Sequence, residues 1–296
     1  MNIHPKKMDK IMVGLIYIFS FFIIFILGGL LFFILWRGIP QFSWEFLTQP
    51  ARTFQEGGGV GIQLFNSFYL LLLTMLISAP LALGAAIYLS EYAPENWFTN
   101  FIRTAIEVLS SLPSIVVGLF GFLIFVIQFG LGFSILSGAI TLTIFNLPLL
   151  TRTIEDSLRA ISPHQREAGL ALGLSRWETV TRIILPAALP GILTGMILAA
   201  GRIFGEAAAL IYTAGQSAPA LDFTNWNPQS ITSPLNIFRP AETLAVHIWK
   251  INSEGLKPDG AAISAGASAV LVLAVLLFNL LARYLGRKLQ KKATSA

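Results

Sequence analysis

Long apolar runs, broken by short polar stretches, set the pattern of this chain. The run Ile11 to Trp36 carries no charge and exceeds the roughly 7 to 15 residues of a cleavable signal, so it reads as an uncleaved signal anchor. Gln63 to Leu89 forms a second run, following the Glu56-Gly57-Gly58-Gly59 turn. Val108 to Thr151 is free of charge over a length that fits two crossings of about 20 residues each, and Gly130 to Ser134 is the natural turn between them. Pro186 to Thr213 supplies a fifth span, with Pro186 in the first turn, where its missing N–H is harmless. Ala261 to Ala282 supplies a sixth, and its pairs Ala262/Gly266 and Ala265/Ala269 have the spacing that lets helix backbones approach in lipid. The predicted fold is all-α and integral to the membrane, with six transmembrane helices.

Composition agrees. Of 296 residues, 55% are hydrophobic and 12% charged, and mean hydropathy is +0.72. Soluble domains carry about a quarter charged residues. Cysteine is absent, which excludes disulfides, thiolate nucleophiles and Cys-ligated metals. The +5 net charge reflects topology rather than nucleic acid. Lys6, Lys7, Lys10, Arg103, five arginines between Arg152 and Arg182, and the tail from Arg283 fall on one side of the predicted spans. The other side has Arg37, Arg52, Arg239, Lys250 and Lys257. The positive-inside rule places both termini and the 151–186 loop in the cytoplasm, and the 214–260 loop outside.

Two features carry candidate chemistry. The 151–186 loop breaks at Ser162-Pro163 and at Gly173, with Ser162 as a possible cap for a short helix and Glu167 near its first turn. Ala168, Gly169, Leu170, Ala171 and Leu172 give a smooth apolar surface suited to docking, or to lying on the lipid interface. The second feature is Arg202, about 24 Å along the fifth span at 1.5 Å per residue and near or beyond the midplane. A central arginine costs about 2.5 to 3.5 kcal/mol to insert. Glu206, four residues on, shares its helix face and can pair with it. The pair is either a self-satisfied packing element or the lining of an anion path, since arginine's planar donor fork suits an oxyanion.

Glu167-Ala168-Gly169, then Gly173, then Ile183-x-Leu185-Pro186 resembles the EAA loop of ABC importer permeases, EAA-x3-G-x9-I-x-LP, with Gly169 replacing the second alanine. GRIFGEAAALIYTAG around Arg202 is similar to the R-x-x-G-E-T-A-P segment of phosphate importer permeases, with Ala207-Ala208-Ala209 where that pattern has Thr-Ala-Pro. Ser110 to Gly121 is similar to the same family's PSIVxGLFG signature. Glu56 to Gly59 and Tyr88 to Tyr92 resemble the PstA-type subunit more than its PstC-type partner.

The resemblance implies a type I ABC importer permease, not an enzyme, moving inorganic phosphate by alternating access. Its substrate path would include Arg202, Glu206 and Ser114, and its ATPase coupling surface Glu167, Ala168, Gly169 and Gly173. The implied partners are a PstC-type permease, a PstB-type ATPase dimer and an extracytoplasmic PstS-type phosphate-binding protein. The chain needs no cofactor of its own: it lacks a GK[ST] P-loop, so ATP and Mg belong to the ATPase. Residues 1–36 form the N-terminal segment and first span, and 56–283 the permease domain. Another oxyanion such as molybdate or sulfate is the alternative cargo, and an ATP-independent channel or scaffold the alternative class.

Smaller expectations complete the reading. Pro113 kinks span three, with Ser110, Ser111 or Ser114 satisfying freed backbone groups or lining a polar path, and Glu107 either snorkels or pairs with Arg103. His4, His164 and His247 lie in different segments, without metal-site spacing. Ala241 to Ile251 makes a short helix resting at the membrane interface.

Overall fold

The computed structural model describes residues 5–52, 55–255 and 257–294. Residues 1–4 of the N-terminal segment and Leu256 of the 214–260 loop lie outside these. The elements are α1 (Pro5–Gly38), α2 (Trp44–Thr48), α3 (Gly61–Ile87), α4 (Trp97–Ser110), α5 (Ser114–Gly121), α6 (Ile135–Arg159), α7 (Pro163–Ala171), α8 (Arg176–Thr179), α9 (Leu185–Phe204), α10 (Ala208–Thr213), α11 (Leu244–Glu254) and α12 (Gly260–Thr294). π-helical segments extend α3 through Tyr88–Tyr92, extend α5 through Phe122–Gln128 and lead into α9 through Val180–Ile184.

Among the described residues five helices are long and apolar enough to cross a membrane, and α4 with α5 and its extension makes a sixth crossing if that bent pair counts as one span. α6 is the axis of the bundle, with α3, α9, α4, α5 and α10 packed around it. Towards one end its Leu142 and Phe145 meet Leu70, Leu71, Ile203, Phe204 and Leu210. Towards the other, Leu150, Ile154 and Leu158 meet Ala82, Ala86, Ile184 and Ile192. Thr141 and Thr143 of α6 donate to the carbonyls of Ser137 and Ala139 one turn back, which satisfies hydroxyls in an apolar setting. The first amides of α6 are satisfied from outside the helix. Ser134 caps Ser137 N, while Ile135 N and Leu136 N donate to the carbonyls of Arg239 and Ile237 in the long loop before α11.

Close helix approaches occur where the side chains are small. A Cβ on Gly118 of α5 would lie 2.7 Å from Ala209 Cα of α10, and one on Gly121 would lie 2.9 Å from Thr213 Cγ2. These contacts set α5 and α10 side by side, running in the same direction. At the end of α1, a Cβ on Gly38 would lie 2.4 Å from Ala269 Cβ and 2.3 Å from Ala265 O. The small residues of α12 therefore admit α1, and Gly266 admits Phe46 of α2. Most of α1 is otherwise exposed on all sides.

The kink expected at Pro113 is present as a hinge, whereas the extent of span five and the setting of the 241–251 helix are corrected. α4 and α5 are bent 98° across Ser111-Leu112-Pro113, because Pro113 cannot continue the α4 ladder and takes extended ψ. Ser110 and Ser111 hydroxyls donate to the carbonyls of Glu107 and Val108, so they, and not Ser114, satisfy the broken end. Span five stops at Phe204, and Gly205 to Ala207 separate it from α10. The helix predicted to rest at the interface is α11, whose Leu244, Ala245, Val246 and His247 are buried against α3, α10 and α12.

Candidate functional site

The break after Phe204 changes the geometry of the intramembrane pair. Arg202 sits in the last turn of α9, where unsatisfied carbonyls and the helix dipole favour a cation. Its guanidinium lies 4.0 Å from the centroid of the Phe145 ring on α6. Glu206 begins the next segment, and its Oε1 accepts a hydrogen bond from Ala209 N at 3.2 Å, near the start of α10. The predicted Arg202–Glu206 ion pair is therefore absent among the described residues: each charge is served by a different helix end. Arg202 makes no hydrogen bond to another described residue, and both side chains are partly accessible. Ser114, also partly accessible, opens α5 at the same end as Glu206 opens α10, given the Gly118–Ala209 and Gly121–Thr213 register. Ser114 and Glu206 thus share one end of the α5–α10 pair, while Arg202 stands four residues before Glu206 at the close of α9, against α6.

At the α7 end the four predicted coupling residues divide. Glu167 and Ala168 are exposed, Glu167 with His164 at 3.5 Å. Gly169 is buried, and a Cβ there would lie 2.8 Å from Ile183 Cδ1 and 2.9 Å from Thr179 Cγ2. Its smallness serves packing of α7 on the start of span five, which accounts for glycine where the motif has alanine. Gly173 has φ +82° and closes α7: Leu174 N donates to Gly169 O and Gly173 N to Leu170 O. The surface left outward is less smooth than expected, with Leu172 80% and Trp177 58% exposed. Ser162 occupies the N-cap without its side chain capping, whereas Ser175 and Glu178 form a capping box on α8 that sequence reading missed.

With this geometry in place, the comparisons decide the family. A model of the binding-protein-dependent transport system inner membrane component matches residues 78–294. The chain belongs to this permease family. It is 54% identical over 290 residues, 98% of this chain and 99% of the other, to a probable ABC transporter permease protein YqgI of Bacillus subtilis. It is 34% identical to the phosphate transport system permease protein PstA of Haemophilus influenzae, covering 94% of this chain and 93% of that one. A bacterial alginate ABC transporter, solved with its alginate-bound periplasmic protein, has the same fold: TM-score 0.65 at 16% identity, covering 97% and 96% of the two chains. The permease is thus a multi-pass membrane transport subunit, and ATP hydrolysis belongs to a separate chain.

The permease also holds a buried polar cluster at its α11 end. Glu242, 4% exposed, accepts from Gln63 Nε2 at 2.8 Å and faces His247 Nδ1 at 3.1 Å and Lys250 Nζ at 3.8 Å. Asn66 donates to Glu242 O and accepts from Arg239 Nη2, and Ser67 Oγ accepts from Leu244 N. Arg239 is fully buried without a carboxylate partner among the described ion pairs. Burial pushes its guanidinium down to about 10, against a smaller upward effect of Tyr69, so it stays charged at neutral pH. His247, treated by sequence as unremarkable, is part of this cluster. The available signal was the run of Gln63, Asn66 and Ser67 on one face of an otherwise apolar helix, spaced three and four apart.

At the opposite end Glu107 pairs with Arg152 rather than with Arg103. Arg103 instead donates to Glu155 Oε1 at 2.9 Å and to Leu89 O at 2.9 Å. The hinge at Pro113 leaves α4 packed on α6, with Arg103 reaching the π-helical end of span two, which brings these groups together.

Proposed function

We propose that this permease carries inorganic phosphate into the cell as the PstA-type half of an ATP-driven importer. The observation that carries the reading is Arg202: a charge at the close of α9 whose guanidinium is held by a ring face and not by a carboxylate. An arginine cancelled by Glu206 would offer an anion little. One whose donors are not taken up by described protein groups has its fork available for an oxyanion. The similarity to PstA along nearly the whole chain supports phosphate among the oxyanions. In this reading Arg202, Glu206 and Ser114 form one wall of the path between α5, α9 and α10, Glu206 and Ser114 adding a moderating negative charge and a hydroxyl, and moderation allows release as well as binding.

In this reading the α7 end and both termini face the cytoplasm, following the distribution of Lys and Arg. Glu167, Ala168 and the exposed Leu172 meet a PstB-type ATPase, while Gly169 and Gly173 shape the helix that presents them. A PstC-type permease completes the pathway, and a PstS-type protein delivers phosphate at the α11 end. ATP and Mg are held by the ATPase, whose closure drives alternating access. The reading is tested by co-expression with the ATPase, second permease and binding protein, followed by reconstitution. ATP-dependent phosphate uptake that resists competition by molybdate and sulfate is expected. Stronger competition by either would reassign the cargo, and uptake without ATP would remove the chain from this class of machine.

A further inference from the structure

Among the described residues, Arg166 is the one through which α7 is tied to the rest of the permease by side-chain polar bonds. Its Nε and Nη2 donate to the two oxygens of Glu91, with distances of 2.9 to 3.2 Å, and Nη1 and Nη2 donate to Ile161 O at 2.7 Å and Leu158 O at 2.8 Å. One guanidinium thus joins three parts: the π-helical end of span two that carries Glu91, the last turn of α6 with the residues just after it, and α7 itself. The Glu91 side chain is 9% exposed, and Ser90 Oγ donates to its Oε1 at 2.8 Å. A bidentate, largely buried pair of this kind fixes direction as well as distance. The other described ion pair of α7, His164 with Glu167, stays within the helix and is 91% and 74% exposed.

We propose that Glu91–Arg166 is the strut that makes α7 move as one body with span two and α6, and so carries ATPase motion to the transport wall. The α6 end of this body continues, through the same helix, to Phe145 under Arg202. The π-helical segment Tyr88–Tyr92 widens the last turn of span two and places Glu91 towards α7. Arg166 and Glu91 are positioning residues: neither touches substrate. The proposal rests on α7 being the surface that meets the ATPase. One turn further along the same face of α7, Gly169 packs closely on Thr179 and Ile183 with no side-chain bond of its own, a contact that can slide where a bidentate pair cannot.

The test uses the assembled importer in proteoliposomes, reading phosphate moved per ATP hydrolysed. Glu91→Gln and Arg166→Gln should each lower that ratio by about tenfold or more while the ATPase remains bound. The double substitution should be no worse than the worse single one, because both remove the same strut. An unchanged ratio in Glu91→Gln would overturn the proposal. A readout that leaves the pair intact guards against variants that fail to assemble. The chain lacks cysteine, so spin labels at Gln165→Cys on α7 and Tyr88→Cys at the end of span two report one distance. With the strut, that distance is the same with and without bound ATP, and a shift between the two states would overturn it. If the Gln165→Cys label senses no ATPase at all, it is the docking of α7 that has failed.

Discussion

Arg202 packs its guanidinium over the ring of Phe145, 4.0 Å from the centroid, although Glu206 lies only four residues further along the chain. Helix spacing would have paired the two charges, and the break at Gly205 gives each to a different helix end. The consequence is a cation at the close of α9 that no described carboxylate cancels. Phe145→Leu should therefore weaken phosphate handling without removing the charge. The lost cation–π contact corresponds to about 0.5 to 2 kcal/mol, and a raised half-saturation concentration for transport is the measurement.

Gly118 should tolerate no enlargement. Its Cβ position lies 2.7 Å from Ala209 backbone, so Gly118→Leu should cost about 1 to 3 kcal/mol or more by overpacking, seen as a lower melting temperature of the purified chain. Gly28 in α1 has nothing within 4 Å, and Gly28→Ala should be neutral or slightly stabilising in the same assay.

Glu242 should be among the least replaceable residues outside the wall. Glu242→Ala leaves Gln63, His247 and Lys250 facing a void, and losing one member of a buried charged cluster costs about 3 to 5 kcal/mol. Glu242→Gln keeps the size and part of the bonding and should cost less. Thermal unfolding in detergent separates the two.

The outward apolar residues next to α7 should matter for assembly and not for folding. Leu172→Glu changes a side chain that is 80% exposed, so stability should move by less than about 0.5 kcal/mol while recovery of the ATPase on an affinity column falls. Gly173 behaves differently. Its φ of +82° makes Gly173→Val cost about 1 to 2 kcal/mol locally, while Gly173→Asn, which enters that region more readily, should retain the ATPase better.

The spans were legible because a charge-free run has few other uses in a chain so poor in charge, and the turn at Gly130 to Ser134 because Gly130 and Gly132 both take positive φ. The small pairs of α12 were legible for the same kind of reason, since close approach excludes large side chains. What sequence spacing could not show was where helices stop. Arg202 and Glu206 have ideal helical spacing, but the pattern does not record that Gly205 ends the helix between them. The Glu242 cluster was hidden because Gln63 and Glu242 are 179 residues apart, and only packing of the loop on α3 brings them together. The pairing of Glu91 with Arg166, 75 residues apart, was hidden for the same reason.

The most direct measurement is ATP-driven uptake of radiolabelled phosphate by the reconstituted importer, comparing the unaltered permease with Arg202→Gln at equal incorporation. Uptake by the unaltered chain, lost in Arg202→Gln while its ATPase still binds, is the predicted result. Equal uptake by Arg202→Gln, or no phosphate uptake by the unaltered importer, would contradict it.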